Sequence, residues 1–569
     1  MSDSDKASEV KSAAVTEVAD AEKVVPGYDA YEVDVAEGTI DTKIDVDSKL
    51  HDGLQRKMHQ RHVQMIALAG TLGTGLFLGS GKAIRHAGPA GALIAYILVG
   101  TVVWGMIQSL AEMLCHAPIS GGYIFYASRF LHPSAGFTLG WMQWYSAVIS
   151  LPIEIISACV IIGFWDNDPV TGSVPRSHMI AYLTALSILC SAINYFGARW
   201  FGEAEFFFAI IKILLILGLI IAGLCVDLGG SPDHDRIGFR YWKDPGAFAA
   251  YPVAGNVGKF TGWFTTLLQA AFSFGGVEGI AMTAAEVQNP RANMRKAARL
   301  LFYRILFFYV CGIFIIGMLV PYNDSNLLNS SGDDASSSPF VIAFNRAGIK
   351  GLPSVINAGV LTSAFSAADS ILYSASRMLY GLSLRGQAPK IFSKTLKNGL
   401  PIVALIVSNL FILLSYMTLS DGADTVLNWL SNLTSIATFI CWGTICVSFL
   451  RFKAGSEAHG IDRKASKYFY NPYQPWPAYW AIFWCCIVVF FNGYQVFMKG
   501  GWSTSDFFIA YINIPIVLIL FLGHWLYTGR PAFPKAGEID MFSNVPGPEV
   551  DVDPNPPTTK MGKFFRWLL

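Results

Sequence analysis

Charge is what this 569-residue chain has least of: Asp, Glu, Lys and Arg make up only 14% of it, where soluble domains carry about 25%. That scarcity, beside 53% hydrophobic residues and a mean hydropathy of +0.43, excludes an ordinary water-soluble globule. The formal net charge is +1, so the basic excess that nucleic-acid binding needs is missing and no such partner is expected. Cysteine is sparse and ungrouped. The nine cysteines lie in or beside apolar segments and no Cys-x-x-Cys pair occurs, so neither a disulfide framework nor a zinc site is supported. No metal and no cofactor are expected. The sequence also lacks His-Glu-x-x-His, a nucleophile elbow and a catalytic pair facing the membrane, which argues against an enzyme. No short apolar core with a cleavage site follows Met1, so no signal peptide is read.

Long apolar runs are what the chain has in abundance. A helix needs about 20 apolar residues to cross the hydrocarbon core. Twelve such segments run roughly 63–84, 90–114, 134–164, 178–197, 203–226, 260–286, 299–320, 352–381, 401–419, 428–450, 477–498 and 505–526. The expected fold is an all-α polytopic membrane protein with twelve transmembrane helices, occupying 51–527. Residues 1–50 hold thirteen Asp/Glu against five Lys and read as a disordered acidic tail. Residues 528–569 are Pro-rich (GRPAFPKAGEID, DVDPNPPTTK) and are expected to be a second, mostly disordered tail. An even number of spans puts both tails on one side. Lys and Arg cluster at 51–57, 291–299, 384–397 and 451–467, which makes that side cytoplasmic. The loop 321–350 then faces outside, with glycan acceptor signals at Asn323 and Asn329.

Two spans carry interruptions. The stretch MIALAGTLGTGLFLGSG, Met65 to Gly81, holds five glycines and three hydroxyl residues, although glycine costs about 1 kcal/mol in a helix interior. A break is expected at Gly70–Gly75. Helix 6 carries a second one at Gly275-Gly276-Val277-Glu278-Gly279. The two helices stand first in the halves 1–5 and 6–10, and paired interruptions at matching places point to a transporter binding site. One Gly-x-x-x-Gly alone would instead mean close helix packing. A phosphate loop is excluded, because no strand precedes the glycines. A half-helix beginning near Thr74 offers N–H groups and a positive dipole end to a carboxylate. Carbonyls released around Phe272 and Gly275 suit an ammonium, so together the breaks fit an α-amino acid zwitterion.

GTLGTGLFLGSG (70–81), LAEMLCHAPISGGYIFYASRF (110–130), LPIEIISA (151–158), RWFGEAEFFFAIIKI (199–213), FSFGGVEGIAMTAAEVQNPR (272–291), SAFSAADSILYSASRMLYGLSLRGQAPKIF (363–392) and WGTICVSFLRFKA (442–454) resemble the fungal amino acid permeases. These belong to the amino acid–polyamine–organocation superfamily, and the resemblance runs over about residues 50–530 in family order. It implies a five-plus-five inverted repeat of the leucine-transporter kind with two extra C-terminal helices. It also implies proton-coupled amino acid uptake at the plasma membrane, with the broad range of a general permease. It places Thr71, Gly73, Thr74 and Gly75 at the carboxylate-binding turn, Phe272 at a gating aromatic, and Gly275 and Gly276 at the unwound part of helix 6. Two departures stand out: Asp369 replaces an Asn common in relatives, and Phe-Arg-Trp-Leu-Leu replaces a Phe-Trp-Cys ending, which removes a palmitoylation candidate. By the same resemblance Lys6, Lys11, Lys23, Lys43 and Lys49 are candidate acceptors for ubiquitination machinery, with solvated linker charge as the alternative.

An ionisable group inside a span costs at least ~2.5–3.5 kcal/mol on insertion scales and is a functional candidate by default. Glu112 lies near a helix end, where a capping or packing role fits best. Glu154, deep in helix 3, either carries the coupled proton or contacts a cationic substrate side chain, with a hydrogen-bonded structural role as the alternative. Lys212 in helix 5 and Asp369 in helix 8 stand at equal depth and are expected to pair. The resemblance reads Lys212 as a substitute for a bound sodium ion, favouring protons as the coupled ion. Glu278 follows the helix 6 break and is expected to accept its released N–H groups. Thr434 and Ser435 of helix 10 are expected in the pocket. The competing functions are an amino acid sensor of the same fold, and transport restricted to cationic amino acids, polyamines or γ-aminobutyrate.

Overall fold

The computed structural model describes residues 73–117, 122–166, 174–196, 198–281, 290–328, 338–396, 399–465, 469–543 and 545. Every regular element among these residues is helical. The principal ones are α1 (Thr74–Phe77), α2 (Gly79–His116), α3 (Pro133–Ile162), α4 (Arg176–Tyr195), α5 (Ala198–Asp227), α6 (Gly255–Phe274), α7 (Pro290–Leu319), α8 (Leu352–Leu384), α9 (Ile402–Leu410), α10 (Ala423–Ala458), α11 (Trp476–Phe491), α12 (Thr504–Tyr511) and α13 (Asn513–Tyr527). Seven of the described helices are long and apolar enough to cross a membrane: α2, α3, α4, α5, α8, α9 with its continuation to Ser420, and α10. The pair α12–α13, bent by 44°, makes an eighth if counted as one span, while Leu306–Leu319 and α11 are shorter apolar helices.

Among the described residues the helices overlap the expected segments. Residues 63–72, including Thr71, and residues 282–286 of the sixth segment lie outside the described residues, as do the acidic tail with its lysines and Asn329. The rest of the first segment is α1 plus the start of α2. The second segment is the remainder of α2, which continues through a kink at Gly88 (φ 74°, ψ 173°) and Pro89. The backbone groups released there pair with the loop before α6: Ala90 N–H donates to the Ala247 carbonyl at 2.9 Å, and Ala249 N–H to the Ala87 carbonyl at 3.0 Å. A kink caused by Gly-Pro is thereby satisfied inside the protein, as membrane depth demands.

Helix α5 shows most plainly which medium surrounds the bundle. Phe207, Ile210, Leu214, Leu217, Ile221, Leu224 and Leu228 recur every three or four residues and are all exposed. Such a stripe on a monomer in water would be an association surface. In lipid it is the outer face of a spanning helix. The opposite face turns Glu205, Ala209, Lys212, Ile216 and Leu219 fully inward. Apolar residues outside and charges inside invert the pattern of a soluble helix, and they place the ionisable groups where α5 packs against α8.

The C-terminal segment departs from the loose tail expected of it. Up to Ser543 it lies along the helix ends, with Ile539 and Met541 buried. Arg129 donates through Nε to the Asp540 carbonyl at 2.6 Å and pairs through Nη2 with Asp540 Oδ1 at 3.3 Å. His116 Nε2 bonds the Met541 carbonyl at 2.9 Å, and Arg451 bonds the Pro534 carbonyl. Partial burial works against ionisation of Asp540, but the N–H groups of Ser543 and Phe542, the Ser543 hydroxyl and Arg129 outweigh it and hold the carboxyl below its ordinary range. Pro-rich composition concealed two apolar anchors and one ion pair.

Candidate substrate site

Helix α1 is a single turn between two interruptions. Gly73 before it is extended (φ −128°, ψ −160°), and Leu78 after it (φ −112°, ψ −48°) breaks the path into α2. Helix α6 ends at Phe274. Gly275 (φ −57°, ψ 147°) and Gly276 (φ 88°) turn the chain into a tight helical turn at Val277–Ala281. The positive φ at Gly276 is one that side chains disfavour. The helices beside the two interruptions touch: a Cβ at Gly75 would stand 2.7 Å from Ser273 Cα. Gly75 was expected in an unwound, ligand-facing turn, yet it is helical and buried. Its missing side chain lets α1 approach α6, the role that a small residue plays wherever two membrane helices close up.

Ser273 is the joint between the breaks. The Tyr96 hydroxyl meets Ser273 Oγ at 3.0 Å, and the Tyr309 hydroxyl donates to the Ser273 carbonyl at 2.5 Å. The Tyr309 and Phe274 rings stand 4.7 Å apart, with Tyr96 about 6 Å from both, an aromatic cluster that fixes the joint. The Phe272 carbonyl takes the Gly275 N–H at 3.3 Å. Part of the carbonyl capacity released by the α6 break is therefore used within the protein.

Against this joint lies a cavity of about 110 Å³, room for more than a single water. Thr74, Leu78, Gly79, Gly81 and Lys82 line it from α1–α2; Ile153, Ser157 and Val160 from α3; Leu268, Gln269 and Phe272 from α6; Leu427, Asn428, Ser431, Asn432 and Ser435 from α10, with Leu327 beside them. Of the expected substrate residues, the cavity brings together Thr74, Phe272 and Ser435. Thr434 is buried away from it, its hydroxyl donating to the Ser431 carbonyl at 3.0 Å; Ser435 donates to the same carbonyl at 2.7 Å. Glu154 stands one layer behind, where its Oε1 accepts the Thr74 hydroxyl at 3.0 Å. A Cβ at Gly73 would meet that same Oε1 at 3.6 Å. Sequence reasoning missed the rest of the α10 polar stripe, although Asn428, Ser431 and Asn432 precede Ser435 at helical spacing. It also missed Gln269 and Lys82, whose Nζ donates to Asn428 Oδ1 at 2.7 Å.

An amino acid permease family model matches residues 62–533. The chain belongs to the amino acid permease family. It is 40% identical over 499 residues to the proline-specific permease of Emericella nidulans, covering 87% of this chain and 89% of that protein. It is 37% identical over 478 residues to a general amino-acid permease of Saccharomyces cerevisiae (83% and 77% covered). It is 36% identical over 508 residues to a probable proline-specific permease of Schizosaccharomyces pombe (88% and 90% covered), and 36% identical over 493 residues to the lysine-specific permease of S. cerevisiae (86% and 79% covered). The permease is thus a multi-pass membrane transporter of an amino acid-carrying family, and its relatives are not enzymes. Relatives named for such different cargo stand at nearly equal identity, so likeness alone does not choose the cargo.

The permease arranges its buried charges differently from the expected pairing of Lys212 with Asp369. Asp369 Oδ1 accepts the amide of Asn194, on α4, at 2.6 Å. The acids whose charges act on Lys212 are Glu205 and Glu154. Equal depth in two helices did not bring the pair together, because Asn194 approaches Asp369 from a third helix. Glu205 was not among the expected ionisable groups, yet it is fully buried and accepts the Ser366 hydroxyl at 2.8 Å. Its signal was the seven-residue spacing to Lys212, two helical turns on one face. Glu278 Oε2 accepts the indole N–H of Trp442 at 3.0 Å, and the N–H groups of Gly276 and Glu278 itself are turned to the same carboxylate. The acid thereby ties the α6 turn to α10. Glu112 pairs with Arg463 at 3.5 Å and accepts the Asn471 N–H at 3.1 Å.

Proposed function

We propose that this permease takes up amino acids together with protons across the plasma membrane, as a secondary active transporter with both termini in the cytoplasm. In this reading the bundle has twelve spans, ten of them a five-plus-five inverted repeat. The observation that carries the reading is the meeting of two interrupted helices, α1 and α6, at a cavity lined by Thr74, Phe272 and Ser435. Irregular backbone at membrane depth survives where it faces protein or a cavity, and paired breaks are where transporters hold small substrates. The α-carboxylate is taken at the Gly73–Thr74 turn and the ammonium by carbonyls around Gly275 and Gly276. Phe272 closes over the bound molecule.

The Thr74 hydroxyl is held by Glu154, so a carboxylate arriving at that turn competes for the same donor. Substrate binding and the state of Glu154 are then linked, which is what coupling requires. Lys212, whose field reaches Glu154, supplies the fixed positive charge. The range of cargo is broad. The cavity also offers neutral hydrogen-bonding groups on α10 and apolar surface from Ile153, Val160 and Leu268, and neither demands one side chain. Uptake of each radiolabelled protein amino acid by a permease-deficient cell expressing this chain, with and without a protonophore, tests the reading. Uptake of several, abolished by the protonophore, supports it. Uptake of none removes transport, and protonophore-resistant uptake removes the proton.

A further inference from the structure

Among the described residues, the buried charges where α3 and α5 pack against α8 do not balance. Glu205, Lys212 and Asp369 are each fully buried and Glu154 is nearly so, which sets three carboxyls against one ammonium. Each carboxyl has one oxygen engaged, by Thr74, Ser366 or Asn194. In each the other oxygen, Glu154 Oε2, Glu205 Oε1 or Asp369 Oδ2, is buried without a hydrogen-bond partner. A buried acceptor left unpartnered is costly, and several unpaired buried charges far more so.

The groups facing one another follow from the packing. Lys212 stands on the same α5 face as Glu205 and also feels Glu154 on α3. Glu205 reaches α8 through the Ser366 hydroxyl at 2.8 Å, and Ser366 stands three residues before Asp369 on that helix, on the same side of it. Cys190, on α4, faces Asp369, and Tyr309, on α7, faces Glu154. Lysine is thus shared between Glu154 and Glu205, while Asp369 has an amide and another acid for neighbours. Two carboxyls sharing one buried site do not both ionise. Neither Glu205 nor Asp369 lines the cavity.

We propose that Glu205 and Asp369 form a proton-binding carboxyl pair between α5 and α8, set apart from the substrate cavity, which carries the proton moved with each amino acid. The inference rests on the proton-coupled reading above. The pair gains one proton from the side where the substrate enters and loses it where the substrate leaves. Lys212 decides which: drawn toward Glu154 it leaves the pair its proton, and drawn toward Glu205 it replaces that proton's charge.

The test uses the full chain reconstituted in lipid vesicles, with a radiolabelled L-amino-acid mixture and an internal pH dye. Three quantities are read: exchange at equal pH, accumulation under an inward proton gradient, and proton entry per amino acid. Glu205→Gln, Asp369→Asn and the double variant are expected to keep exchange within about threefold but to lose accumulation by about tenfold or more, with proton entry abolished. A double variant that accumulates substrate with unchanged proton entry overturns the pair while the wild type still shows coupling. A wild type whose accumulation ignores the gradient removes the coupled reading, and this inference with it. If the acid variants fail to exchange, Ser366→Ala decides. Removing the donor to Glu205 is expected to move the pH of half-maximal accumulation by about half a unit or more, and an unmoved midpoint overturns the proposal.

Discussion

One added methyl group tests whether contact between the two breaks matters for transport. In Gly75→Ala the new Cβ would stand 2.7 Å from Ser273 Cα and 2.9 Å from its hydroxyl oxygen. Its nearest neighbour is backbone, which a rotamer change cannot move. Reaching an ordinary contact of 3.4 Å parts α1 from α6 by about 0.7 Å, and overpacking of this kind costs about 1–3 kcal/mol. Ser273 also anchors the hydroxyls of Tyr96 and Tyr309, so the displacement spreads to both. At 1.4 kcal/mol per factor of ten, the arrangement with α1 against α6 loses about 5- to 150-fold in population, and the initial rate of amino acid uptake is expected to fall at least fivefold. Surface biotinylation separates this loss from poor delivery to the membrane. Gly218→Ala on α5 is the control: a Cβ there meets nothing within 4 Å, and uptake is expected to stay unchanged. Gly75→Ala protein at normal surface level with unaltered KM and maximal rate would refute the argument.

Other outcomes follow from single contacts. In a double-mutant cycle, Thr74→Val and Glu154→Gln are expected to show a coupling of about 1.5–3 kcal/mol in substrate affinity, the worth of a hydrogen bond to a charged group; additive effects would separate the two residues. Trp442→Phe leaves Glu278 without its indole donor and is expected to lower the melting temperature in detergent, with a cost of about 1–3 kcal/mol; an unchanged melting temperature would make that bond idle. Asp540 titrates below the ordinary carboxyl range, so its docking bonds are complete above that range and are lost as pH falls through the lower folded value. Cleavage of the C-terminal segment by an acid-tolerant protease is therefore expected to be constant from about pH 8 to 5 and to rise only below about pH 4. An increase already at pH 6 would contradict the assignment. Ile539→Asp, which puts a charge at a site 1% exposed, is expected to speed the same cleavage at every pH.

What could be read in advance depended on how far apart the determining residues lie in the chain. The expected segments from 134–164 to 477–498 correspond to α3 through α11 because twenty apolar residues in a row are a local property. The break at Gly275–Gly276 was legible for the same reason, since a glycine cluster needs no knowledge of packing; of the break expected at Gly70–Gly75, residues 70–72 lie outside the described residues. Gly75 could not be assigned from its neighbours in sequence: whether a glycine is unwound or merely close to another helix depends on Ser273, 198 positions away. The partner of Asp369 was likewise hidden, because depth along an axis says nothing about rotation around it, and Asn194 came from a third helix. Glu205 was not singled out, because its burial depends on how α5 is rotated, inward at this residue and opposite the exposed stripe of Phe207, Leu214 and Ile221. The C-terminal segment misled through its prolines, while Ile539 and Met541 did the anchoring.

The claim at the centre of this account is that the joined breaks of α1 and α6 recognise the two charged ends of an amino acid. Thermal unfolding of the purified permease in detergent measures this directly. A saturating transported amino acid, at about 100 times its dissociation constant, should stabilise the folded state by about 2.7 kcal/mol. The matching amine without the carboxylate, and the matching acid without the amino group, should do little, and Phe272→Ala should lose most of the shift. Equal stabilisation by the amine or the acid alone, or an undiminished shift in Phe272→Ala, would place recognition elsewhere.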